Sequence, residues 1–159
     1  MDVAYLDFDN EFMTLALEEA QHALSQDEVP IGAVIVKDGH VIARAHNERE
    51  SLQDPTAHAE MLALKEAAVK LKNWRLMGCT IYVTMEPCPM CAGAIQQARL
   101  ARLVYGIPDP KAGAAGTVMN IIDEPKLAHR LKITSGVMED KCRDLLNVFF
   151  RRLRLRESG

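Results

Sequence analysis

Pro87-Cys88-Pro89-Met90-Cys91 lies between Thr80–Thr84, a run rich in β-formers, and Pro89–Arg99, which reads as a helix. Proline suits the first position of a helix, where its missing N–H costs nothing, so Pro89 starts the helix and Cys88 caps it. Cys91, three residues further on, lies on the same face of the first turn. Both sulfurs then sit at the positive end of a helix, which favours thiolates and through them a bound cation. A strand that runs straight into a helix through paired cysteines makes this an α/β chain with its chemistry at a strand end.

The flanking sequence extends that pattern. Upstream, residues 9 to 26 carry an apolar stripe of helical period (Phe12, Leu15, Ala16, Ala20, Ala23, Leu24), with Asp9 or Asn10 as the expected cap. Ala33–Lys37 and Val41–Ala45 read as two strands of a hairpin, because Asp38-Gly39 between them tolerates positive φ. A helix over 58–72 follows Asp54-Pro55-Thr56. Downstream come a short strand at Leu103–Tyr105, a Gly-, Ala- and Pro-rich loop at 106–116, a last strand at 131–134 and a helix over 138–155. The stripe of that final helix is Leu146, Phe149, Phe150 and Leu153. One hairpin followed by alternating strands and helices predicts a mixed sheet covered by helices, an α/β sandwich. With 159 residues and no repeat or linker, a single domain over 1–159 is expected.

Charge and composition narrow the partners. The net charge is −3. Residues 1 to 36 hold eight acids and no Lys or Arg, whereas residues 141–159 hold six bases against two acids. This asymmetry hints at a polyanionic partner on one region, though a solvated helix end gives the same pattern. No apolar run approaches the roughly 18 residues of a membrane helix, and no basic segment leads into an apolar one at the N-terminus. Four cysteines (Cys79, Cys88, Cys91, Cys142) are too few for a disulfide scaffold. A cytoplasmic protein is expected.

Taken alone, C-x-x-C fits a redox pair, half of a structural zinc site or half of a catalytic one. His58-Ala59-Glu60, thirty residues before Cys88, decides among them. One His and two Cys leave a fourth position open for water, the arrangement of a catalytic zinc. Zinc lowers the pKa of bound water to about 7, and Glu60 is placed to move its proton. At a helix start, where backbone angles change, His58 and Glu60 can converge on one point. Cys79 and Cys142 lack ligand-like spacing and read as small buried hydrophobes. His22, His40 and His129 read as surface or capping residues; His46, before Asn47, is left open.

Taken together, H-A-E and P-C-x-x-C resemble the signature of the zinc cytidine-deaminase superfamily. More specifically, the chain resembles the bacterial tRNA-specific adenosine deaminases of that superfamily. The likeness runs almost end to end: Glu28-Val29-Pro30-Ile31-Gly32-Ala33-Val34, Asn47, Ala57-His58-Ala59-Glu60, Glu86 to Ala94, Asp109, Lys111 to Gly116, and Phe149-Phe150-Arg151. The resemblance implies a three-layer α/β/α sandwich with a central mixed sheet of about five strands. It implies hydrolytic deamination of the wobble adenosine of a tRNA, anticodon position 34, to inosine. One Zn2+ per subunit activates the water, and Glu60 shuttles protons. It also implies an arginine tRNA as substrate and a homodimer. By the same resemblance Asn47 hydrogen-bonds the purine, and Val29 and Ala59 lie at the pocket. Asp109 and Lys111 contact the anticodon backbone, with Phe149, Arg151 and Arg152 beside the RNA. Ile107-Pro108, before Asp109, stands where this loop varies within the family.

Two rival readings share parts of this pattern. A free guanine or cytosine deaminase shares the zinc motif but has no use for the cluster Arg151, Arg152, Arg154 and Arg156. A non-catalytic RNA-binding zinc module would dispense with the acid at 60, and Glu60 is present.

Overall fold

The computed structural model describes residues 3–158; residues 1, 2 and 159 of the expected domain lie outside them. The elements in chain order are α1 (Val3–Ser25), β1 (Gly32–Lys37), β2 (His40–His46), α2 (Arg49–Leu52), α3 (Ala59–Leu71), β3 (Thr80–Met85), α4 (Pro89–Gln97), β4 (Arg102–Ile107), β5 (Lys132–Thr134) and α5 (Glu139–Ser158). Five strands form one mixed sheet in the order β2-β1-β3-β4-β5. β1 is antiparallel to β2 and β3, whereas β3, β4 and β5 run parallel. The hairpin turns at Asp38 and Gly39, with φ of 50° and 77°, as a two-residue loop requires.

Side-chain alternation builds the layers. Ile35, Ile81, Val83 and Leu103 point to the face covered by α3 and α4. Val34, Val36, Tyr82 and Val104 point to the opposite face, covered by α1 and α5. With period 2 along each strand, one sheet feeds two apolar cores. Cys79 and Cys142 are buried within them, as their spacing suggested. Among the described residues no helix is long and apolar enough to cross a membrane.

The structure revises the sequence expectations at three places. α1 starts at Val3, so neither Asp9 nor Asn10 caps it. Asp9 is instead buried within the helix, where Arg102 grips both carboxylate oxygens and the Tyr82 hydroxyl donates to Oδ1. That pairing spans 93 residues and local sequence cannot show it. α2 is one turn long and carries no apolar stripe to announce it. α5 buries only Cys142 and Leu146; Phe149 is half-buried, and Phe150 and Leu153 are exposed. The stripe therefore leaves the core after two turns, and the helix continues to Ser158 over solvent.

Candidate active site

α3 and α4 begin at the same point in space. His58 is the N-cap of α3 and Cys88 the N-cap of α4, both in extended backbone, and neither side chain closes its own helix. Freed from capping, they turn toward each other. The Nδ1 atom of His58 lies 3.7 Å from Cys88 Sγ and 3.5 Å from Cys91 Sγ. One atom from each residue falls within 4.8 Å of the others, and among the described residues this is the one such group of three or more. These residues can hold a metal ion. A tetrahedral zinc, with Zn–S of about 2.3 Å and Zn–N of about 2.0 Å, sets sulfur and nitrogen about 3.5 Å apart, so the spacing fits that ion.

Electrostatics at the group agree. The neighbouring Cys91 thiol and the His58 ring pull the Cys88 thiol down to about 4, so it is a thiolate at neutral pH. The same contact raises His58. Cys91, beside that thiolate and buried, is pushed far up. Two helix N-termini supply positive potential to the cluster.

Glu60, in the first turn of α3, is buried against the group. Burial pushes its carboxyl up to about 7, with the Cys88 thiolate adding to the rise. A carboxyl of that strength exchanges protons readily in both directions near neutral pH.

Above Glu60 opens a cavity of about 260 Å³. Val29, Asn47, His58, Ala59, Glu60, Asp109 and Lys111 line it. Asn47 is buried between β2 and α2, and its side-chain bonds to the Val29 carbonyl and the Arg49 N–H are both long, at 3.4 Å. Such bonds are weak and leave the amide able to serve a ligand. Ile31, Arg49, Met85, Leu146 and Phe150 also line the cavity, and sequence reasoning missed them as site residues. Helix periodicity marked Phe150 and Leu146 only as apolar. A second cleft, of about 680 Å³, shares Val29, Asn47, Arg49 and Phe150 with the first and adds Phe149, Leu153 and Arg156. Arg151 and Arg152 are exposed on α5 and line neither cavity, while Arg156 pairs with Asp27 at 2.6 Å. Of the remaining histidines, His46 bonds Glu19 and Gln26, and His129 bonds the Leu100 carbonyl.

Comparison with known proteins places this geometry. The model of the MafB19-like deaminase family matches residues 8–154. The tRNA-specific adenosine deaminase of Bacillus subtilis is 50% identical over 151 residues, 95% of this chain and 94% of that protein. The chain belongs to the tRNA-specific adenosine deaminases. A solved structure from a study of A-to-I editing by tRNA:A34 deaminases at the wobble position of transfer RNA superposes with a TM-score of 0.82 at 47% identity, covering 86% of this chain and 99% of that one. A guanine deaminase from Nitrosomonas europaea shares the fold at a TM-score of 0.74 but only 25% identity, over 88% and 83% of the two chains. The free-base rival is thus the more distant of the two relatives.

A tRNA-specific adenosine deaminase with this cluster should lose its metal when one thiolate is removed. Cys88→Ala should bind less than a tenth of the zinc held by the unmodified protein, by elemental analysis after dialysis, and lose activity in parallel. One equivalent of zinc in a fully active Cys88→Ala protein would exclude Cys88 as a ligand.

Proposed function

We propose that this enzyme hydrolyses the adenosine at the wobble position of a tRNA anticodon, position 34, to inosine and ammonia. His58, Cys88 and Cys91 hold one Zn2+, and Glu60 moves the protons. The carrying observation is the three-atom cluster with Glu60 buried beside it at the floor of a cavity, in a chain half identical to a tRNA-specific adenosine deaminase. When bound, zinc would supply Lewis-acid activation of a water molecule.

The side chains account for the rest. Asn47 holds the purine through its amide, and Val29 and Ala59 bound the base. Glu60 accepts a proton from water as oxygen adds to carbon 6 and passes it to the adjacent ring nitrogen. It then takes the remaining proton from the new hydroxyl on carbon 6 and delivers it to the amine, as the bond from carbon 6 to nitrogen breaks and the carbonyl forms. Atoms balance: water enters, ammonia leaves, and Glu60 is restored. A free base would fill the smaller cavity alone. The adjoining cleft, which shares four lining residues, gives room for flanking nucleotides and so favours an RNA substrate. Asp109 and Lys111 reach the anticodon backbone from the cavity rim, and Phe149 reaches it from the cleft. Arg151 and Arg152 add positive charge beside it on α5.

An arginine tRNA as the substrate, a cytoplasmic location and a homodimer complete the reading, on the resemblance to the family. Support for the dimer comes from α3 and α4. Met61, Leu64, Ala68, Trp74, Ala94 and Ala98 line an apolar groove there, and Trp74 is exposed.

Glu60→Gln should retain one zinc per chain and the fold while the rate on an anticodon stem-loop falls by about 10²–10⁴, the usual size of a general acid–base contribution. Turnover within threefold of normal, or zinc loss, would show that Glu60 is not the shuttle. Replacing Arg151, Arg152 and Arg154 together with Gln should weaken stem-loop binding. It should also flatten the dependence of log affinity on log salt by about 0.7 for each phosphate no longer neutralised. An unchanged salt slope would place these arginines away from the RNA.

A further inference from the structure

Glu86, between the end of β3 and the cysteine turn, is buried, yet it stands outside the cavity and the metal cluster. Four donors converge on its carboxylate. Oε1 accepts from the Asp109 N–H at 3.1 Å and from the Thr117 hydroxyl. Oε2 accepts from the Ala115 N–H at 2.9 Å and the Thr117 N–H at 3.1 Å. Both ends of the 109–117 loop are therefore tied to one side chain, two residues before Cys88. The Ala114 N–H adds a bond to the Pro87 carbonyl at 2.9 Å. The loop sits down so closely that a Cβ on Gly113 would fall 2.4 Å from Glu86 Cδ. Asp109 spends Oδ1 inside the loop, accepting from the N–H groups of Lys111 and Ala112 at 2.9 and 3.2 Å. Asp109 and Lys111 then stand at the cavity that opens over His58 and Glu60.

We infer that Glu86 is a positioning residue for the RNA substrate, clamping the 109–117 loop so that Asp109 and Lys111 keep a fixed distance from the cysteine turn. The inference rests on the tRNA reading above for what Asp109 and Lys111 touch. The clamp itself rests on geometry alone. A carboxylate is the side chain that satisfies four donors without offering one. Glutamine has the same shape but a single acceptor oxygen. With that oxygen toward the Ala115 and Thr117 amides, its NH2 group faces the Asp109 N–H. The Thr117 hydroxyl can rotate away; the Asp109 amide cannot, so the Asp109 end of the loop is released.

The test uses full-length, zinc-loaded Glu86→Gln and Thr117→Val, the second removing only the hydroxyl donor. Two readouts are taken. One is KM and kcat on an anticodon stem-loop. The other is the rate of tryptic cleavage at Lys111–Ala112, followed by mass spectrometry without RNA. Glu86→Gln should raise KM about tenfold, as expected for a buried donor left unpaired. Its kcat should change less than threefold, with one zinc per chain retained. Cleavage at Lys111 should speed up at least about tenfold. Thr117→Val should shift KM and cleavage in the same direction by a smaller factor, and it decides the matter if Glu86→Gln fails to fold. Unchanged KM and cleavage in the folded variants would overturn the clamp. So would zinc loss in Glu86→Gln, or a fall in kcat with KM unchanged. If the unmodified protein makes no inosine, the substrate reading falls, while the cleavage rates still judge the clamp.

Discussion

Two helix starts brought to one point form the constraint on which the remainder of this structure depends. A helix N-terminus leaves N–H groups unpaired, and Ser, Thr, Asp or Asn ordinarily closes it. Here the caps are His58 and Cys88, and neither bonds back to its helix. The positive ends of α3 and α4 therefore remain directed at the space between them, where anionic sulfur is favoured. The sheet makes this convergence possible. β3 lies at its centre, paired with β1 on one side and β4 on the other, and delivers Cys88 straight from its C-terminal end. α3, packed over β2 and β1, brings His58 and Glu60 to the same edge.

Around that point the protein distributes polar duty among buried carboxylates. Glu60 faces the cavity, and burial raises its proton affinity against the pull of the His58 ring. Glu28 is equally buried but bonded to the Ser51 hydroxyl and to the N–H groups of Glu50 and Ser51, and it is held ionised. It thereby fixes the segment that carries Asn47 and Arg49. Asp9 is satisfied by Arg102 and Tyr82 on the far face. A buried acid without sufficient donors is expensive, and such a group persists where chemistry uses it. Among the described residues, Glu60 is the buried carboxyl whose proton affinity rises, despite a backbone donor and the Cys91 thiol.

The elements that lead to the centre were readable in the chain because their signals are local. β-forming residues mark β3, Asp38-Gly39 marks the hairpin of β1 and β2, and Pro89 marks the start of α4. His58, Glu60, Cys88 and Cys91 were readable because residue type and spacing together specify the chemistry. The rest depends on tertiary proximity. Asp9 resembles a cap until Arg102 arrives from 93 residues away. Met85, Arg49 and Leu146 carry no local sign that they border a cavity. Phe149 and Phe150 have the spacing of core residues, yet they face the clefts because α5 leaves the core after Leu146. The basic cluster at 141–159 was visible, but sequence does not show that Arg156 is engaged by Asp27.

The central claim is that the cavity over His58 and Glu60 acts on an adenosine presented by RNA. The most direct measurement is a competition of substrates on the zinc-loaded protein. An anticodon stem-loop with adenosine at position 34 and further adenosines in the loop is sequenced for inosine, while ammonia release is followed from free adenine, guanine and cytosine. The account predicts inosine at position 34 alone and no ammonia from the free bases above background. Ammonia from a free base at a rate equal to or above editing of the stem-loop would contradict it.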